Sequence, residues 1–469
     1  MSLSLLSCAL CPIPKDPDGD VSSSKNYRGI AISSLILKVF DNCTLLLYGH
    51  ILENDSLQFG FQSGCSTTQC TWAVQETISH YLSRGSSVYS CLLDFSKAFD
   101  KVNFDELFSR LIQRNFPAII LRLLLHIYLN QRCFIRWNSF CSKESFIVKN
   151  GVRQGAILSP ALFCIYLDEL FKELRESGLG CHLGGTFVGA FGYADDVILL
   201  APTRLALQNM LNICQAFATR CSMQFSTDPV PSKSKTKCML FSRYFNAESV
   251  EKVYLDGNPL PWVNSAKHLG NLITTDINYQ FMSPDSKKDI RQKRGIFFNR
   301  FHQVLQQFGQ YHPQLVNRLV SIYATALYGS CLWSLTSEDF EKLCKAWNTA
   351  VKLVWDLPHG THTRYLESLS EIPHLESTLE GRFVGFLDGL VKSNKYVIGL
   401  ILSQSATNVS TLIGNNIAHL LSKHSLRTIG ELCGNKRLIK NMRRTKIDVD
   451  DEWRINFISL KKCHLQRGK

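Results

Sequence analysis

The sequence predicts an α+β fold in which an antiparallel sheet and its covering helices fill residues 1–282 and helices fill the rest. Three observations predict it. Apolar runs of strand length alternate with amphipathic helical periods as far as Ser283. Several of those runs meet at turn residues, such as Asp256-Gly257. Beyond Ser283 the strand patterns give way to helical ones, which places domain boundaries at 1–282, 283–356 and 357–469. With 469 residues, 45% hydrophobic, the chain can bury a sizeable core in about two to four domains.

Taken in order, "SVYSCLLD" (Ser87 to Asp94) is a buried strand that delivers a carboxylate to its tip. In "DKVNFDELFSRLIQRN" the helical spacing of Phe104, Leu107 and Leu111 predicts a helix. The run Phe116 to Leu129 is interrupted by Arg122 and His126 and predicts a core helix, too short and too charged for a membrane span. Ser159 and Pro160 look like the N-cap and first-turn proline of a helix through Leu174, with Leu162, Ile165, Tyr166 and Leu170 on one stripe.

"GTFVGAFGYADDVILLAP" has no helical period, and its glycines and flanking apolar runs predict a hairpin with Tyr193 to Asp196 at the turn. Thr203 caps a helix carrying Leu207, Met210, Leu211, Cys214, Phe217 and Ala218. "KSKTKCMLFSR" adds a basic segment and a strand, and "VYLDGNPLPWVNSAKHLGNLIT" a hairpin around Asp256 and Gly257. Two basic stretches follow, Lys287, Lys288, Arg291, Lys293, Arg294 and Arg300, then Lys436, Arg437, Lys440, Arg443, Arg444 and Lys446.

Fifty-two Lys and Arg against 39 Asp and Glu give a net charge of +13, which suits a polyanion such as nucleic acid better than an acidic protein surface. The 17 cysteines are scattered, many at core-like positions such as Cys91, Cys164 and Cys214. Reduced thiols in an intracellular chain are the expectation, with nucleus and cytoplasm equally open. Cys8 and Cys11 form the one CxxC, without a second pair at ligand spacing, and Cys463-His464 is equally isolated, so no zinc site is expected. The start has no basic segment before its apolar stretch and does not read as a signal peptide. No membrane partner is expected.

The acids raise the chemical question. Asp94 at a strand tip and Asp195-Asp196 at a hairpin turn would converge if their elements are neighbours in one sheet. Like charges brought together demand a cation, or one carboxylate is driven toward protonation. Two divalent ions about 4 Å apart would remove the repulsion and clamp an in-line phosphoryl displacement, and oxygen-only ligands favour Mg²⁺, with Mn²⁺ as the alternative.

Around these acids eight stretches stand in a set order: "PIPK" with "NYRGIAISS", "QFGFQSGCSTTQ", "LLDFSKAFDKV", "NGVRQGAILSPALFCIYLDEL", "GYADD", "SKTKCMLF", "AKHLG" and "ALYGSCLW". In this the chain resembles the reverse transcriptases of non-LTR (LINE-type) retrotransposons, and its wording sits nearer that group than intron maturases or telomerase. The resemblance implies a right-hand polymerase with fingers, a palm and a helical thumb, working on an RNA template, a DNA primer and deoxynucleoside triphosphates. It maps Asp94 and Asp195 onto the principal metal ligands and Asp196 onto a supporting one, with Tyr193 beneath the primer terminus. Phe99 matches the ring that excludes a ribose 2′-hydroxyl, and Gln154 and Gly155 match the nucleotide pocket, with Arg153 holding template or pocket. Lys15 and Arg28 match positions that meet phosphates. Either Lys235 or Lys237 matches the lysine that protonates leaving pyrophosphate, Lys235 being taken for the site. His268, Leu269 and Gly270 match the primer grip, with His268 where tyrosine is usual.

Members of that group commonly carry a nicking endonuclease ahead of the polymerase. Here the fingers motif begins almost at the first residue, so the expectation is a polymerase-bearing piece of a longer element protein that cuts no DNA itself. The alternative is an inactive remnant acting at most as an RNA-binding protein. Nothing in the residues sets an oligomeric state.

Overall fold

A computed structural model describes residues 6–435, apart from 245, 246, 310, 311, 326 and 371, together with 438 and 442. It bears out the α+β class. The chain gathers into two compact units, Met1–Cys70 with Gly85–Asn264, and Thr71–Arg84 with Ser265–Lys469.

In chain order the first unit contains β1 (Ser7–Pro14), β2 (Tyr27–Ile32), α1 (Leu35–Tyr48) and the start of α2 (Thr67–Ser83), whose remainder belongs to the second unit. Next come β3 (Val88–Asp94), α3 (Phe104–Gln113), α4 (Ala118–Leu129), β4 (Arg132–Trp137), β5 (Phe140–Cys141), β6 (Phe146–Ile147) and α5 (Ser159–Glu176). The unit ends with β7 (His182–Leu183), β8 (Thr186–Phe187), β9 (Ala190–Tyr193), β10 (Asp196–Ala201), α6 (Arg204–Arg220), β11 (Lys237–Phe241), β12 (Tyr254–Leu255) and β13 (Asn258–Pro259).

Two sheets organise it. One has the order β2-β1-β4-β5, with β6 also on β4; the other, β11-β3-β10-β9, is antiparallel throughout. Val197 to Ala201 of β10 are all buried, as a central strand covered on both faces requires. Helix α6 packs on β10 and β3, with Leu207, Met210, Leu211, Cys214, Phe217 and Ala218 turned inward. The Thr203 hydroxyl accepts the Ala206 N–H and caps it. The hairpin β12–β13 turns at Asp256 and Gly257, both at positive φ, as the Asp-Gly pair predicts.

Three expectations change. Leu158, already helical at φ −80°, ψ −25°, is the N-cap of α5, and no side-chain cap bond forms there, although Pro160 does sit in the first turn. With the helix begun a residue early, Ser159 lies inside it and its hydroxyl has no extended backbone from which to reach the next amides. Helix α4 buries Leu124, Ile127 and Tyr128 but leaves Ile119 and Leu129 exposed, so it is a core helix on one face only. The cysteines are not all reduced: Cys8 and Cys133 are joined as a disulfide. The parallel register sets these two residues opposite each other on β1 and β4, with Cα atoms 4.9 Å apart, inside the reach of a bridge. The other described cysteines form no disulfide.

The second unit opens with the hairpin β14 (Ser265–His268) and β15 (Asn271–Thr274) and continues with α7 (Lys287–Phe308) and a set of helices through Ile429–Gly434. Buried polar groups fix its core. Asp289 accepts the Trp333 indole N–H at 2.8 Å and the Leu272 N–H at 3.3 Å. Asn416 donates to the Trp333 carbonyl and accepts from the Leu335 N–H. Gly329 of "YGSCLW" leaves room for the Asn271 amide, where a Cβ would collide, and Tyr328 packs on Gly270. Among the described residues no helix is long and apolar enough to cross a membrane. The second basic stretch, Lys436 to Lys446, and Cys463-His464 lie outside the described residues.

Candidate active site

Asp94 closes β3, Asp196 opens β10, and the register sets them directly opposite. Opposed residues of an antiparallel pair share one face, with Cβ atoms about 5 Å apart. Asp195 adjoins them in a two-residue turn with Ala194, between the paired Tyr193 and Asp196. Ala194 has φ 57°, the left-handed conformation that such hairpins take. The hairpin and the strand pairing therefore bring all three acids to one end of the sheet.

Their electrostatics follow from that crowding. Partial burial, then the Asp195 and Asp94 charges, push the Asp196 carboxyl up to about 6. Burial likewise raises Asp195, with Asp94 adding to the rise, while its own backbone N–H and the Arg28 guanidinium oppose it. Arg28 thus acts on this site from β2, whose outer surface carries it exposed. Carboxylate oxygens with no nitrogen or sulfur donor suit a hard divalent cation, whose charge would relieve the repulsion. Among the described residues no group of three or more His, Cys, Asp or Glu side chains is gathered closely enough to hold an ion. The acids fit Mg²⁺ as a partial ligand set, since that ion keeps waters and takes substrate phosphates beside one or two carboxylates.

Phe99 lies half-buried one turn beyond Asp94, stacked on Phe163 with ring centroids 4.3 Å apart. Phe61, exposed at φ 55°, meets Phe99 edge-on at 6.4 Å and Tyr193 at 6.5 Å. The segment "NGVRQG" is strapped to the turn after Asp94: Gly151 N–H donates to the Val102 carbonyl, Val152 N–H to the Phe99 carbonyl, and Gln154 Nε2 to Asp100 Oδ1 at 2.9 Å. The Gln154 carbonyl accepts the Ala31 N–H of β2. Gly155 stands at φ 108°, and a Cβ there would lie 3.1 Å from the Ala31 carbonyl oxygen. A cavity of about 200 Å³ lined by Asp100, Gly151 and Gln154 lies beside this strap.

The other sequence-predicted residues have surroundings of their own. Arg153 is buried, its guanidinium 3.5 Å from the buried Asp41 carboxylate of α1 and over the Tyr128 ring, so it faces inward. Lys15 follows β1 with its side chain exposed. Lys235 is exposed two residues before β11, its N–H on the Ser226 carbonyl, and Ser226 N–H in turn bonds the Asp94 carbonyl. Lys237 is the first residue of β11, opposite Leu92. In the second unit His268 is buried, its Nδ1 3.0 Å from the Thr71 hydroxyl, and burial lowers its pKa to about 4. Leu269 and Gly270, at φ 49° and 83°, form the turn after it.

Sequence reasoning assigned no part to Gln58, Phe61 or Asp100, all beside the acids or their strap. Gln58 and Phe61 stood inside a quoted stretch, "QFGFQSG", and the signal was a glutamine set among Leu57, Phe59 and Phe61.

Similar sequences occur among known proteins. The family model described as "Reverse transcriptase (RNA-dependent DNA polymerase)" matches residues 13–271, more than half of the chain. A "Probable RNA-directed DNA polymerase from transposon X-element" of Drosophila melanogaster is 28% identical over 60% of this chain and 30% of its own length. A Pol polyprotein of the R2 retrotransposable element of Nasonia vitripennis is 29% identical over 44% of this chain and 20% of its own. The chain spans less than a third of the length of either relative. Among solved structures, apo telomerase from Candida tropicalis is similar at a TM-score of 0.42 and 12% identity, over 93% of this chain and 69% of that one. With the motifs in order and the acids together, the chain belongs to the reverse transcriptase (RNA-dependent DNA polymerase) family, and its curated relatives are polymerases of non-LTR retrotransposable elements.

Proposed function

We propose that the chain is an RNA-directed DNA polymerase that adds deoxynucleotides to a primer 3′-hydroxyl on an RNA template, in retrotransposition. The observation that carries this reading is the opposition of Asp94 and Asp196 across β3 and β10 with Asp195 at the adjoining turn. Asp94 and Asp195 are the principal ligands of two divalent ions and Asp196 a support. When bound, those ions lower the pKa of the primer hydroxyl and neutralise the departing pyrophosphate.

The chain's own groups do the rest. Phe99, held flat against Phe163, bars a ribose 2′-hydroxyl, and Phe61 adds a second wall. Gln154 and Gly155, on the strap, line the nucleotide pocket. Arg28, whose charge already reaches Asp195, meets phosphate, as does Lys15. Lys235 protonates the pyrophosphate; the bond from Ser226 to Asp94 keeps its segment beside the strand tip. Arg153, tied to Asp41, serves by holding the strap rather than by touching template. The turn at Leu269 and Gly270 grips the primer through its backbone, with His268 anchored beneath it. Residues 1–282 serve as fingers and palm, 283–356 as thumb, and the chain works inside the cell.

The test is extension of a DNA primer on an RNA template by the purified chain with Mg²⁺ and deoxynucleotides, beside Asp195→Asn. Extension is expected from the wild type and loss of at least about a thousandfold from the variant, with RNA binding unchanged, because the ligand acts on the transition state and not on backbone contacts. Equal loss of both would count against Asp195 as a metal ligand, and no extension by a folded, RNA-binding wild type would return the chain to an inactive remnant.

A further inference from the structure

We propose that Gln58 is a positioning residue that holds the turn Tyr193 to Asp196, and with it Asp195, by pairing its side-chain amide with the backbone of Ala194. A two-residue hairpin turn leaves its central residues without ladder partners, and an exposed turn gives those groups to water. Here the first central residue is buried: Ala194 is 4% exposed, so its N–H and C=O need partners from the protein.

Gln58 supplies both. It is fully buried; its Oε1 accepts the Ala194 N–H at 2.8 Å and the Gly60 N–H at 2.9 Å, and its Nε2 donates to the Ala194 carbonyl at 3.3 Å. The main chain repeats the grip two residues back, where Phe59 N–H donates to the Gly192 carbonyl and Gly192 N–H to the Leu57 carbonyl. Two glycines allow the approach. A Cβ on Gly60 would overlap the Ala194 nitrogen, and one on Gly192 would overlap the Phe171 ring and crowd Gln58 Nε2. An amide suits the place because it presents one acceptor and one donor side by side, without charge, next to carboxylates that already repel one another.

The catalytic consequence rests on the function proposed above; the clamp itself does not. Both are tested on the full chain with Gln58→Met, of similar length but without the amide, and Gln58→Glu, read by hydrogen exchange of the 190–197 peptide and by primer extension. Gln58→Met is expected to speed exchange at Ala194 about tenfold, as loss of a buried hydrogen bond implies, with β3 and β11 little changed, and to lower kcat while KM for deoxynucleotide stays put. A protonated glutamic acid offers the same acceptor and donor as the amide, so Gln58→Glu should regain protection at Ala194 as pH falls. Unchanged exchange at Ala194, exchange raised evenly through the sheet, or a loosened turn with wild-type kcat would each overturn the proposal. If the wild type extends no primer while exchange responds as stated, the polymerase reading falls and the clamp stands.

Discussion

Asp196 shows what a single carboxylate costs when two others stand beside it. Its pKa, raised to about 6, means that the folded chain binds this proton more tightly than the unfolded chain does. The contribution of Asp196 to stability therefore falls as pH rises from about 4, where the unfolded aspartate titrates, to about 6, and above that its full penalty remains. Asp196→Asn should remove it, raising the melting temperature at pH 7.5 by about 2 °C, with the gain shrinking toward pH 4. Thermal scans of both proteins across that range without divalent ions check this; a difference between them that does not grow from pH 4 to about 6 would contradict it. Added Mg²⁺ should stabilise the wild type more than the variant, since a ligand that binds the folded state stabilises by mass action.

At the scale of elements, the acid hairpin was legible because its evidence is local: glycines, short apolar runs and two acids at the turn. The partner of that turn was not. Gln58 and Ala194 are 136 positions apart, and no periodicity reports a hydrogen bond across such a distance. The disulfide escaped for the same reason, being created by the register of β1 on β4, and the Ser159 cap failed because the helix starts one residue earlier than its sequence signal. The fit of β9 against α5 gives a prediction. Gly192→Ala drives a methyl into Phe171, itself fully buried and unable to yield, and should cost about 1–3 kcal/mol. Gly295→Ala, in the middle of α7 with open space around it, should stabilise by about 0.5–1 kcal/mol. Urea midpoints at unchanged slope decide both.

For the molecule as a whole, net charge was legible and its availability was not. The +13 suggests a nucleic-acid partner, and the stretch from Lys287 to Arg300 reads as a basic helix face. In the fold much of it is engaged within its own unit: Lys287 with Asp285, Lys288 with Asp276, Lys293 with Asp289 and the Tyr328 carbonyl, and Arg291 with the buried Asp339 through two nitrogens. Arg291→Ala should therefore lower the melting temperature, because it leaves a buried carboxylate unpaired. The slope of log affinity for RNA against log salt should stay within about half a unit of wild type, where a lost phosphate contact would change it by about 0.7–0.9. A change of that size with stability intact would make Arg291 a nucleic-acid contact after all.

The opposition of Asp94 and Asp196 also imposes arithmetic on the gene. Side chains alternate faces along a strand, so the acids share a face only while the residues between each acid and the strand core keep their parity. Adding or removing one codon inside β3 or β10 would rotate an acid to the far side of the sheet unless a bulge absorbed the extra residue. Two codons would keep the facing but slide the pair apart. Such a lesion would silence the site with every motif residue still in place, so a copy of this sequence is judged intact by the spacing of its acids as much as by their presence.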